Sequence, residues 1–179
     1  MKKVYLLFIF ISFIGFSQEK YLTKTGLLNF EASVPSFEEI KATNTNVTAI
    51  FNAANGQFAT LALVKGFRFK NALMEEHFNE SYAESDIYPK AIFKGRLIGY
   101  TENNTLIAYP IKGSLDFHGV TKNIQNVTVQ IINSENKITF KGAFELNPEE
   151  FDVEIPKIVS SKIADTVSVI FEFNMTKTK

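Results

Sequence analysis

Ser114, Asp116 and His118 are the three residue types of a hydrolytic triad, and they alternate onto one face of a predicted strand. Their spacing argues against that chemistry. Residues two apart on a strand are separated by about 6.6–6.8 Å with parallel side chains, so Ser114 and His118 start about 13 Å apart. A nucleophile and its base need a hydrogen bond of about 2.6–3.2 Å. The strained G-x-S-x-G turn that presents a nucleophilic serine is also missing. His77 stands near Glu76 and Glu80 on a helical pattern, the beginning of a metal set, but the chain has 2 histidines in all. A first-row metal site usually needs three or four nitrogen, sulfur or carboxylate donors, so the segment reads as a solvated acidic helix face. Glycine-rich phosphate loops are absent as well. The residues therefore point away from an enzyme, with no catalytic group, no metal ligand and no cofactor assigned.

The elements that carry these residues are more informative. Phe93-Lys94-Gly95-Arg96-Leu97, Ile111-Lys112-Gly113-Ser114-Leu115 and Phe140-Lys141-Gly142-Ala143-Phe144 repeat one pattern: apolar, lysine, glycine, any residue, apolar. With a period of two, the large apolar residues and the glycine share one face and the lysine takes the other. Glycine inside a strand marks a bend, a bulge or the close approach of a ligand or another backbone. Three such positions imply a strongly curved sheet whose apolar concave side has gaps. A barrel that holds a greasy molecule needs this, and so does a tightly coiled barrel without a ligand.

The rest of the chain fits an all-β domain. Predicted strands cover residues 27–33, 47–53, 58–64, 91–99, 105–118, 124–132, 137–146 and 166–176, separated by Asn, Gly, Pro and charged residues. Asn55-Gly56 and Asn103-Asn104 are turn dipeptides that predict hairpins. Ile138, Phe140, Gly142, Phe144 and Leu146 alternate with polar or small residues, as do Val167, Val169, Phe171, Phe173 and Met175, the pattern of antiparallel strands with one wet face. Residues 71–86 depart from it, with Leu73, Met74, His77, Phe78 and Tyr82 at helical spacings, and predict one short helix across the sheet. Tyr88-Pro89 ends that segment, because a residue before proline is pushed away from helical angles. Residues 35–46 read as a loop, with a helical turn expected over 37–41.

Lys2-Lys3 followed by an apolar run from Val4 to Phe16 has the form of a secretion signal, with cleavage expected between Ser17 and Gln18. The expected domains are thus a signal peptide over 1–17 and a single domain over 18–179, in a periplasmic or secreted protein without an integral membrane segment. Of 19 basic and 19 acidic side chains, the signal removes two lysines, leaving 17 against 19. So balanced a charge, without clusters, excludes a nucleic-acid groove. The chain has no cysteine, hence no disulfide, thiol chemistry or lipidated N-terminal cysteine, and stability must come from the phenylalanine-rich core.

One stretch resembles a known family. Leu115-Asp116-Phe117-His118-Gly119-Val120-Thr121-Lys122 is similar to the L-x-x-H-G-V-T-[KR] element of the YceI-like proteins. Met74-Glu75-Glu76-His77-Phe78 ahead of Tyr88-Pro89-Lys90-Ala91-Ile92-Phe93 matches that family's order too, although Glu75-Glu76 replaces its usual Arg-Asp. The resemblance implies an antiparallel barrel of about eight strands, lipocalin-like, with one short helix packed against it and a long pocket for an isoprenoid or other lipid chain. Expected lining residues are Phe93, Gly95, Leu97, Gly113, Leu115, Phe117, Phe140, Gly142, Phe144, Phe171 and Phe173, with the glycines leaving room for the chain. The alternative is a ligand-free interaction or stress-related module with a filled core. Monomer and homodimer are both compatible with the sequence.

Overall fold

The computed structural model describes residues 19–35, 37–101 and 107–178. The expected signal peptide and the Asn103-Asn104 turn lie outside the described residues. In chain order the elements are β1 (Lys20–Ser33), β2 (Lys41–Asn52), β3 (Gln57–Leu63), β4 (Arg68–Phe69), α1 (Ala72–His77), β5 (Lys90–Leu97), β6 (Ala108–Phe117), β7 (Val120–Ser134), β8 (Lys137–Leu146), α2 (Lys157–Ser160) and β9 (Ile163–Lys177). Every pairing is antiparallel, and the order β1-β9-β8-β7-β6-β5-β3-β2 closes on itself through β1 against β2. The result is an eight-stranded barrel, to which β4 adds a two-residue extension beside Ala42 and Thr43 of β2. Closure leaves the barrel without a terminal edge strand, which suits a chain rich in β-prone apolar runs.

The loop expected over 35–46 is corrected in its second half, where Lys41 to Asn46 belong to β2, and the helical turn expected over 37–41 is absent: residues 37–40 are irregular and lead straight into the strand. Ala42 and Asn44 point inward there, each about 1% exposed. The inward asparagine masks the alternation, and its side chain is satisfied: Nδ2 donates to the Leu63 carbonyl at 3.0 Å and Oδ1 accepts from the Asn46 amide at 2.9 Å. The expected helix is α1 continued by one π-helical turn over Phe78–Tyr82, with the Asn71 side chain accepting from the amides of Leu73 and Met74 at its start.

One half of the barrel is packed solid. Phe140 lies 4.7 Å from Phe51 and 5.1 Å from Phe58 between ring centroids, and Phe171 stacks on Phe173 at 5.3 Å. Each buried ring contributes about 1.5–3 kcal/mol, an upper estimate because unfolded chains are partly compact. Tyr109 is also enclosed here, and its hydroxyl meets no hydrogen-bond partner among the described residues. Burial pushes its phenol pKa above the ordinary value, since the charged form is the one denied water. Tyr109→Phe should therefore leave stability unchanged or raise it by about 1 kcal/mol, because it removes an unsatisfied buried polar atom. A urea melt checks this, and a loss of stability would mean that the hydroxyl has a partner.

Candidate functional site

The other half of the barrel is hollow, with a cavity of about 460 Å3. It forms where the second half of β1, the start of β5, the ends of β6 and β8 and the start of β9 meet. Strand alternation supplies the wall: Leu28, Phe30 and Ala32 from β1, Leu115 and Phe117 from β6, Phe144 and Leu146 from β8, Val167 and Val169 from β9. Met74 and Phe78 of the helical segment and Val153 and Val159 near α2 complete it. Among the described residues, only Glu38, His77, Lys162 and the Tyr82 hydroxyl bring polar side-chain groups to this lining.

Aromatic packing fixes the helical segment at the cavity. Phe30 stands 5.2 Å from Phe67, 5.6 Å from Phe69 and 5.3 Å from Phe78, and Phe69 lies 5.2 Å from Phe78. Such ring pairs add about 0.5–1.5 kcal/mol each beyond their buried area. Glu75 locks the other side. One carboxylate oxygen accepts from Arg68 at 3.0 Å and the other from the Phe69 amide at 3.0 Å, tying α1 to β4. The first glutamate of the Glu75-Glu76 pair thus has a positioning role.

His118 occupies a structural node beside the cavity. His118 and Gly119 have positive φ, 52° and 75°, and form the two-residue turn between Phe117 and Val120 that suits a twisted hairpin. The His118 ring is largely buried. Its Nδ1 donates to the Phe151 carbonyl at 2.9 Å, Nε2 lies 2.9 Å from the Glu84 carboxylate, and the ring meets Tyr88 edge-on at 4.5 Å. The hairpin is thereby tied to the segment ahead of β5 and to the 3-10 turn over Pro148–Phe151. Asp116 accepts instead from the Thr121 hydroxyl at 3.0 Å, so the triad types do not assemble around the histidine. His118→Ala should cost about 1–3 kcal/mol, since it strands the buried Phe151 carbonyl and opens a small void, while the half-exposed Glu84 carboxylate turns to water. Chemical denaturation checks this, and a loss below about 0.5 kcal/mol would show the node to be idle. His77 is exposed at the cavity rim, and among the described residues no group of three or more His, Cys, Asp or Glu is placed to hold a metal.

Of the residues expected to line a tunnel, Leu115, Phe117 and Phe144 line the cavity. Leu97, Phe140, Phe171 and Phe173 are buried in the packed half, with Phe93 against them. Gly95, Gly113 and Gly142 do not leave open space. Gly95 and Gly113 face each other across β5 and β6, and a Cβ on either would lie within 2.6–2.7 Å of the Phe93 ring. Gly142 is opposite Phe171, whose ring would be 2.5 Å from a Cβ there. Phenylalanine fills the room that each glycine makes, the arrangement known as aromatic rescue. The lining from Phe30, Phe67, Phe69 and Phe78 was not anticipated. Its signal in the sequence is the run of phenylalanines at 67, 69 and 78 around the helical pattern, more apolar surface than so short a helix can bury by itself.

A YceI-like domain model matches residues 19–175. No curated protein matches the chain in sequence. Among solved structures, a polyisoprenoid-binding domain from Saccharophagus degradans, described as implicated in plant cell wall breakdown, superposes with a TM-score of 0.75 at 16% identity, covering 90% of this chain and 99% of that one. BcnA of Burkholderia cenocepacia gives 0.71 at 18% identity over 84% and 96% of the two chains. The YCEI protein of Campylobacter jejuni gives 0.65 at 16% identity over 82% and 89%. No helix among the described residues is long and apolar enough to cross a membrane. With the barrel, the helix and the His-Gly-Val-Thr turn all in place, the domain match over nearly the whole described chain makes this protein a member of the YceI-like family.

Proposed function

We propose that the protein is an exported, non-catalytic carrier that holds an apolar lipid or isoprenoid chain in the open half of its barrel. The observation that carries this reading is the cavity of about 460 Å3 with its nearly continuous apolar lining. That volume falls within the range of about 300–1,000 Å3 typical of small-molecule sites. Burial of each methylene contributes about 0.8 kcal/mol before ordering costs, so a chain binds there without a charged partner. Leu115, Phe117 and Phe144 are the sequence-predicted residues that would touch it. The polyisoprenoid-binding description of the Saccharophagus domain supports the ligand class, and the lysine pair and apolar run at residues 2–16 support export.

Mass spectrometry of an organic extract of the full chain, purified from its own host, tests the proposal together with titration by N-phenyl-1-naphthylamine, an uncharged apolar fluorophore. A co-purifying isoprenoid or acyl chain and saturable dye uptake are expected. An empty extract combined with no dye uptake by folded protein would overturn it.

A further inference from the structure

The wall of the barrel is interrupted beside the cavity. Pairing between β7 and β8 runs from Ser134↔Lys137 to Gln130↔Lys141 and stops there, although β7 extends back to Val120 and β8 on to Leu146. Each strand keeps its other neighbour: β7 pairs with β6 down to Val120, and β8 pairs with β9 up to Leu146. The gap is a seam between two intact ladders. It holds a crevice of about 220 Å3, reaching from Asn123 and Gln125 on one side to Glu145 and Glu150 on the other. Phe144 and Leu146 line both this crevice and the large apolar cavity. The two spaces thus border on the same pair of apolar side chains, so a bound chain whose end passes between Phe144 and Leu146 would reach the seam.

We infer that the β7/β8 seam receives the polar end of the bound lipid, and that this end donates hydrogen bonds and carries no negative charge. The inference rests on the lipid-carrier reading and adds the class of head group. Among the described residues, the side-chain polar groups offered by the crevice are two carboxylates and two amides, and none of its lining residues is basic. Carboxylates can only accept hydrogen bonds from a ligand and repel an anion. A hydroxyl or ammonium head group suits that set, whereas a phosphate would face two like charges without a cation. The cavity rim differs, because it mixes Glu38 with His77 and Lys162 and so does not discriminate by sign.

Three probes with related C20 chains separate the possibilities: geranylgeraniol, geranylgeranyl phosphate and the headless hydrocarbon phytane. The full chain should bind the alcohol about tenfold tighter than the phosphate. The double variant Glu145→Lys/Glu150→Lys changes only exposed side chains and should move that ratio by about tenfold toward the phosphate, leaving phytane affinity within about twofold. Circular dichroism confirms that the variant is folded. If phytane binds but the ratio does not respond, or if Lys162→Glu moves it more than the double variant does, the seam assignment is overturned while the carrier reading stands. If none of the three binds, the carrier reading itself has failed.

Discussion

Gly113→Ala should destabilise the barrel by at least about 3 kcal/mol or prevent folding altogether, an effect far larger than the one methyl group it adds. Gly113 sits opposite Gly95 in the β5–β6 ladder. A Cβ there would fall on the Lys94 carbonyl oxygen and 2.6 Å from the Gly95 Cα. Both are backbone atoms in a paired ladder, so neither can move without parting the strands. Gly142→Ala is the matched comparison, since its nearest obstacle is the Phe171 ring, with the Thr128 carbonyl oxygen at 3.0 Å. A ring can turn, and that variant should cost about 1–3 kcal/mol. Urea denaturation of the two proteins beside the parent measures the difference. A wild-type midpoint for Gly113→Ala would exclude the close approach of β5 and β6.

These glycines also mark how far the sequence could be read. Period-two alternation located each of the eight barrel strands, because a half-wet antiparallel sheet imposes that pattern on every one of them. It located their ends less well. β1 begins at Lys20, since Thr23 and Gly26 interrupt the apolar series, and β2 begins at Lys41, since Asn44 points inward. The repeated apolar-Lys-Gly pattern correctly announced close approach, but a single chain does not say what approaches. The occupants are phenylalanine rings from the same sheet and, at Gly113, the backbone of β5, so the glycine-bearing segments build the packed half and the hollow lies toward the ends of the same strands. Leu115, Phe117 and Phe144 belong to both descriptions because they continue the inward face past the glycines. The remaining wall comes from β1, the 67–78 segment and the chain around α2. Its contacts join residues far apart in sequence, and no local periodicity records them.

Ala91→Phe should reduce uptake of N-phenyl-1-naphthylamine by about 100-fold while leaving the barrel folded. Ala91 lies at the start of β5 and lines the cavity, and it is only partly buried against the core. A ring placed there extends into open space, where the substitutions at the glycines above would meet backbone or rings. If the added ring excludes the volume of about four methylene groups, the ligand loses about 3 kcal/mol of burial, at about 0.8 kcal/mol each. That loss corresponds to about two orders of magnitude in Kd. Filling empty apolar volume should leave stability within about 1 kcal/mol of the parent, since the new ring gains contacts while straining few neighbours. Fluorescence titration and a urea melt on the same preparation give both numbers. Unchanged dye affinity with an intact fold would mean that the chain binds somewhere other than this cavity.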